Sequence, residues 1–288
     1  MNSLKRCSKC LTPETHETIS FDHEGVCNIC RQHEYKMEKV DWVQREEELH
    51  KILDKYRGKF DYDCIVPFSG GKDSTFILLT LVKDYNMKPL VVSFDHGFYR
   101  PTVQDSKLRT FRKLGIDVMT FTPNWHVVKK LMLESLKRKG DFCWHCHTGI
   151  FAFPMHVAIK FNVPLVIWGE PSAEYTSYYG YDDGIEAVDE ERFNRFVNLG
   201  ITAEDMVGML DGTVTARDLL PYTYPKLSDL KRIQYHSFCL GSFIPWDVKS
   251  QKERIIKELG WQEEEVEGIP PDYGFEKIEC AMQGIRDY

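Results

Sequence analysis

Residues 65–79, IVPFSGGKDSTFILL, place Ser69-Gly70-Gly71-Lys72-Asp73-Ser74 between two apolar runs. A strand that feeds a helix through a glycine turn leaves backbone N–H groups facing a concavity, and the helix N-terminus adds its positive end. Gly70 and Gly71 carry no Cβ, so an anion can come close to the backbone. Lys72 adds a full charge, and Ser69 and Ser74 add hydroxyl donors. A chain of phosphates is the natural guest. The spacing is not G-x-x-x-x-G-K-S/T, because Val66 stands five before Gly71 and Asp73 follows Lys72.

Thiols are the second source of chemistry. There are nine cysteines, six of them in C-x-x-C pairs, a usage that favours metal over disulfides. Cys7-x-x-Cys10, sixteen residues, then Cys27-x-x-Cys30 has the spacing of two knuckles closing on one tetrahedral Zn2+. Four thiolates leave no open position, so the expected role is structural, and a segment this polar needs the metal to fold. His16, His23 and His33 lie nearby and are not needed as ligands. Cys143-Trp144-His145-Cys146 is a separate pair, with Cys239 as a distant third thiol. Three thiols can hold an iron–sulfur cluster with one iron open. A second zinc site using His145 or His147, or an unmetallated pair packing as small apolar groups, stays open. Cys64 and Cys280 sit in apolar patterns and are expected in the core.

The elements around these residues alternate. Apolar runs at 62–68, 88–94, 116–122 and 162–170 read as buried strands. Helical patterns at 74–85, 103–115, around 125–138 and at 148–161 lie between or after them. That alternation predicts an α/β fold, a doubly wound parallel sheet with helices on both faces. Residues 41–57 read as a helix capped by Asp41 and stopped at Gly58, 239–247 as a last strand, and 249–261 as a helix closed by Gly260. In FEKIECAMQGIRDY, Phe275, Ile278, Met282 and Ile285 keep helical spacing with no C-cap after them. We therefore expect a last helix that is cut short, or more chain beyond it. The expected organisation is a knuckle module over 1–38, a linker helix over 39–58, the phosphate-binding core over 59–170, and an insert or lid with the rest of the domain over 171–288. The insert contains a tyrosine run, Tyr175, Tyr178, Tyr179 and Tyr181, suited to stacking or to packing.

Within that sheet, Asp95-His96-Gly97 ends the second predicted strand and Glu170 ends the fourth. Ligands of doubly wound sheets sit beyond the carboxyl ends of strands. Asp95 is therefore a ligand-site candidate, with a plain turn over Asp95-His96-Gly97 as its alternative. Glu170 is a candidate for holding Mg2+ or reaching substrate, with helix capping as its alternative. The charge is 37 basic against 44 acidic side chains, net −7, which makes tRNA an uncomfortable partner. Lys129–Gly140, KKLMLESLKRKG, reads as the solvated face of a helix. No apolar run is long enough to span a bilayer, and MNSLKRCSKC lacks the core of a secretory leader, so a cytoplasmic protein is expected.

The loop Ser69-Gly70-Gly71-Lys72-Asp73-Ser74 matches S-G-G-x-D-S at all five fixed positions, the signature of PP-loop ATP pyrophosphatases. The resemblance implies that the loop grips the β,γ-pyrophosphate of ATP while a substrate oxygen attacks the α-phosphate. Asp95-His96-Gly97 resembles the D-H-G after strand two in several such enzymes. The two knuckles, Asp41-Trp42, Tyr56-Arg57-Gly58, PMHVAIKFNVPLVIWGE and SFIPWD extend the likeness over most of the chain. Together they resemble the N-acetyl sugar amidotransferases of surface-polysaccharide assembly. That resemblance implies ATP, Mg2+ and a nucleotide- or lipid-linked N-acetyl sugar. It also implies a separate glutaminase supplying ammonia, since no glutaminase domain is recognised and Met1 is not a nucleophilic cysteine. Lys72, Asp73 and Glu170 would carry catalysis. The C-W-H-C pair departs from that pattern. With Cys239 it is similar to PP-loop thiolation enzymes, which makes an iron–sulfur sulfur transferase acting on tRNA or a small molecule the alternative. A zinc-bearing adaptor without catalysis is a third reading, which the intact loop opposes. A homodimer is left open.

Overall fold

The computed structural model describes residues 4–16, 18–174, 179–182, 186–198, 200–210 and 212–286. The chain divides into two compact units.

The first unit is built from Met1–Ile52, Gly169–Ala187 and Phe238–Trp246. It contains the two cysteine knuckles, which lead into α1 (Asn28–Glu38) with Cys27 as its N-cap. Lys36 on α1 is buried, pairs with Glu174 at 2.7 Å and donates to the Trp246 carbonyl at 2.7 Å. The Tyr181 hydroxyl donates to the same Glu174 carboxylate. One buried ammonium thus ties three distant stretches of sequence together, and it tolerates burial only because a carboxylate and a carbonyl replace its water. α2 (Trp42–Asp54) follows, and the Asp41 side chain accepts from Gln44 N at 3.0 Å as the predicted cap. It ends before the predicted stop, and Gly58, with φ +69°, makes the following turn.

The second unit is Leu53–Trp168, Val188–Ser237 and Asp247–Tyr288. Strands β1 (Cys64–Pro67), β2 (Pro89–Phe94), β3 (Asp117–Phe121), β4 (Leu165–Trp168) and β5 (His236–Cys239) form one sheet in the order β3-β2-β1-β4-β5. The β1–β2, β2–β3 and β1–β4 pairs are parallel, with Ile65 opposite Leu90 and Val166. β1, β2 and β4 are nearly continuous buried apolar runs, as parallel strands covered on both faces must be. β3, at the edge, leaves Asp117 and Thr120 exposed. The α/β class read from the alternation is therefore correct.

Helix α3 (Lys72–Lys83) is buried from Thr75 to Leu81 and packs beside α4 (Pro101–Leu114). α5 (Trp125–Lys139) and α6 (Trp144–Phe161) pack together, and α6 also meets β1, β2 and β4. The basic Lys129–Gly140 run is indeed an exposed helix face. The short helices α7 (Glu190–Arg192), α8 (Ala203–Met209) and α9 (Leu227–Arg232) follow, and α10 (Val248–Leu259) packs on α3 and is stopped by Gly260 at φ +69°. No helix among the described residues is long and apolar enough to cross a membrane.

Four expectations need correction. The last strand is His236–Cys239, not 239–247. Leu240–Ser242 turns as a 3-10 helix, with Gly241 against Pro171 and the Trp246 ring where a side chain would collide. The insert is not a lid throughout: Met206, Leu219 and Tyr222 are fully buried beside Phe94 and Trp144 in a core of the second unit. Of its tyrosines, Tyr175 and Tyr178 lie outside the described residues. Finally, the C-terminal segment is no long helix. Turns run over residues 275–282 before α11 (Gln283–Arg286). Ala281 N donates to the Phe98 carbonyl at 2.8 Å, Tyr99 and Cys280 form an antiparallel bridge, and Lys277 has φ +54°. Backbone bonds made to another segment have replaced the i to i−4 ladder. Phe275 and Ile278 remain buried, but Cys280, expected in the core, is only half-buried.

Candidate active site and metal centre

The sheet order reverses beside β1, whose neighbours are β2 and β4, so the crevice at its carboxyl end is where a ligand belongs. The glycine loop lies there. Gly70 has φ +92°, and Gly71 is the extended N-cap of α3. The two serines organise the turn from within. Ser74 Oγ accepts from Gly70 N at 3.0 Å and lies 3.2 Å from Ser69 Oγ, and Ser69 Oγ accepts from Gly71 N at 3.3 Å. Trp261 Nε1 donates to the Gly70 carbonyl at 3.0 Å and fixes the turn from outside.

Lys72 is buried at the first position of α3, and its Nζ is 2.7 Å from Asp73 Oδ2 and 3.2 Å from Glu276 Oε1. Asp73 Oδ1 is buried with no hydrogen-bond partner among the described residues. An orphaned carboxylate oxygen beside this glycine loop fits a divalent cation such as Mg2+. At the end of β2, Asp95 accepts from Gly97 N at 2.9 Å and from Thr122 Oγ1 at 3.3 Å. Its neighbour His96 is buried against Tyr99, ring centroids 4.1 Å apart. Burial first, then the nearby His145, pushes the His96 pKa down to about 4, so it is a neutral ring at pH 7.

Two contributors escape the sequence reading. Lys107 of α4 is buried, donates to Ser93 Oγ at 2.7 Å and sits 3.8 Å over the Tyr99 ring. Burial brings its pKa down to about 8, and its stem passes under the loop, where a Cβ on Gly70 would come within 2.6 Å of Lys107 Cγ. The signal was its place on the inward face of α4, with Val103, Ser106 and Thr110. The other is Glu279: a Cβ on Gly71 would collide with its carboxylate.

In the first unit, the sulfurs of Cys7, Cys10, Cys27 and Cys30 all lie within 4.8 Å of one another. Cys7–Cys30 and Cys10–Cys27 are 3.9 and 3.5 Å apart. Metal–sulfur bonds of about 2.3 Å in a tetrahedron require about 3.8 Å. Backbone amides of Lys9, Cys10 and Cys27 point at Cys7 Sγ, at 3.4, 3.5 and 3.2 Å. Burial works against the Cys7 thiolate, yet these amides outweigh it and hold its pKa down to about 6. Four thiols with donated N–H groups are the donor set of a metal ion, with the amides orienting the ligands.

The second pair is on the sheet domain. Cys143 is the N-cap of α6 and Cys146 lies in its first turn, while Trp144 and His145 point into the core. Cys143 and Cys146 belong to the second unit, and Cys239 and Glu170 to the first.

No family model matches the chain. It is 27% identical over 166 residues to an uncharacterized protein from Methanocaldococcus jannaschii, covering 57% of this chain and 58% of that one. It is 28% identical over 125 residues to the glutamine-hydrolyzing GMP synthase of Pyrobaculum aerophilum, covering 41% of this chain and 23% of the synthase. The chain thus spans less than two thirds of both relatives. Among solved structures, a U34-tRNA thiolase from Methanococcus maripaludis with its 4Fe-4S cluster aligns over 88% of this chain and 82% of its own, at 15% identity and a TM-score of 0.32.

Two outcomes are expected. Purified protein should carry a tightly held divalent ion that Cys27→Ser removes; full metal content in that variant would exclude the four thiols as donors. For His96 the folded pKa lies near 4 and the unfolded near 6.5, so between them the unfolded chain binds the extra proton. The stability this group contributes is complete above pH 6.5 and is lost as pH falls toward 4. Urea unfolding across that window should show a loss of order 3 kcal/mol that His96→Gln removes. Parallel curves for the two proteins would contradict a buried neutral ring.

Proposed function

We propose that the chain is a PP-loop ATP pyrophosphatase that adenylates an acetamido oxygen of an N-acetyl sugar and replaces it with nitrogen. One observation carries the reading: S-G-G-x-D-S forms the β1–α3 turn at the point where strand order reverses, with Lys72 at the helix start. The helix end and Lys72 suit the β- and γ-phosphates of ATP. The amide oxygen attacks the α-phosphorus, and pyrophosphate leaves with the electron pair of the broken P–O bond. Ammonia adds to the imidate carbon and gives up a proton, and AMP departs with the former amide oxygen, leaving an acetamidino group. Adenylation is needed because an amide oxygen is otherwise a poor leaving group. Lys72 steadies charge on the departing pyrophosphate. Mg2+ would shield the phosphates, and Asp73 and Asp95 are the carboxylates that suit it. Ammonia from a separate glutaminase and structural zinc on the four N-terminal cysteines complete the proposal.

Sulfur transfer is the second reading, favoured by the C-x-x-C at the start of α6. A helix N-terminus stabilises thiolates; Cys143 is the N-cap of α6 and Cys146 lies on its first turn. On this reading the two thiols would contribute to an iron–sulfur cluster whose open iron delivers sulfur to tRNA or a small molecule.

Pyrophosphate release from Mg·ATP with an acetamido-sugar acceptor should fall by about 10²–10³-fold in Lys72→Ala; wild-type turnover in that variant would remove the loop from catalysis. Anaerobic purification separates the two readings. Colourless protein, free of iron and active with ammonium, is expected for amidation. A brown preparation with labile sulfide, losing colour in Cys143→Ala, would overturn amidation in favour of thiolation.

A further inference from the structure

The loop proposed to hold ATP's phosphates is already covered. Glu279 places its carboxylate against the Cα of Gly71, on the face that lacks a side chain. Glu276 takes Lys72 at 3.2 Å, sharing it with Asp73. These acidic groups come from a segment that runs across the loop in turns rather than as a helix. It is held by the Ala281–Phe98 backbone bond, the Tyr99–Cys280 bridge and three buried side chains, Phe275, Ile278 and Gln283. Around these anchors, Lys277, Ala281 and Ile285 are exposed.

We propose that residues 275–286 are an autoinhibitory strap, with the Glu279 and Glu276 carboxylates standing where the phosphates of a nucleotide would bind. The idea rests on the phosphate-loop reading above. A phosphate must approach Gly70 and Gly71 closely, and steric access to Gly71 is what Glu279 removes. Electrostatics act the same way. Lys72, the cation of the loop, already faces Asp73 and Glu276, so a polyphosphate entering beside all three carboxylates would meet like charge at short range. Burial and the neighbouring Asp73 raise the Glu279 pKa, the sign of a carboxyl crowded by its surroundings. Exchanging carboxylates for phosphates on one loop needs no change in the sheet. Only a segment anchored by three buried side chains and a few backbone bonds must withdraw.

Calorimetric titration with magnesium pyrophosphate and with Mg·ATP tests the strap. Glu276→Ala/Glu279→Ala, which removes both the charge and the bulk, should bind both at least tenfold more tightly than the unaltered chain. In the unaltered chain, hydrogen exchange at 275–286 should quicken when Mg·ATP is added, a readout that does not depend on the variant folding. Equal affinities, or weaker binding by the variant, overturn the strap while leaving the loop reading intact; weaker binding would mean that the carboxylates hold the metal–nucleotide complex. Unchanged or slower exchange at 275–286 with ATP bound overturns it too. If neither protein binds either probe, the loop reading fails and the strap falls with it.

Discussion

β1 ends at Pro67 and α3 begins at Lys72, so four residues must turn the chain from the sheet into a helix. That turn is crowded from two sides. Lys107 passes beneath Gly70, and the C-terminal segment reaches Gly71 from above. A side chain at either position would push one of them away. Gly70 also adopts φ +92°, a region that other residues avoid. The serines that bracket the turn satisfy its amides from inside, so its shape exists before any ligand arrives. With the Gly70 and Gly71 amides taken up by serine hydroxyls, the helix end and Lys72 are the loop's positive groups, and the rest of the second unit keeps the turn in place. The hydrophobic faces of β1 and α3 set its position, and Trp261 fixes its carbonyl side.

The N-terminal module obeys a different constraint. Its knuckle segment buries few apolar side chains, chiefly Cys7, Val26 and Cys27. Such a segment cannot offset its conformational entropy through a core. Four thiols brought to tetrahedral spacing, each knuckle supplied with amide donors, let a metal ion do so instead. Lys36 then joins this module to the stretches around Glu174 and Trp246 by a buried charge. Losing either partner would leave an ammonium without compensation, so the pairing sets the arrangement within the unit more than it adds stability.

The sheet was legible because parallel strands covered on both faces write themselves as apolar runs, and Ile65, Val91 and Val166 lie in such runs. The glycine loop and the four-thiol set were legible because their chemistry fixes spacing. Contacts brought in from far along the chain were not. Lys107 shares the inward face of α4 with Val103, Ser106 and Thr110, but nothing local shows that Ser93 and the Tyr99 ring receive it. The spacing of Phe275, Ile278, Met282 and Ile285 suits a helix, but the backbone partner at Phe98 wins. Periodicity reports which residues seek burial. It does not say whether the amides between them will bond locally or across to another segment.

The two lysines at the loop also divide the electrostatic work. Lys72 faces carboxylates and is oriented by charge; Lys107 is held by a hydroxyl and an aromatic face, with its pKa lowered toward neutrality by burial. A cation balanced by carboxylates can be transferred to phosphate oxygens with little change in its own solvation, because one set of anions replaces another. On Lys107 burial outweighs the attraction of the Asp95 carboxylate, so an arriving phosphate would favour its charged form. A fold with a net charge of −7 can therefore offer a cation at this turn to the nucleotide proposed above. Local compensation, rather than an overall positive field, governs entry, and the acidic groups nearest the turn are the ones that must yield.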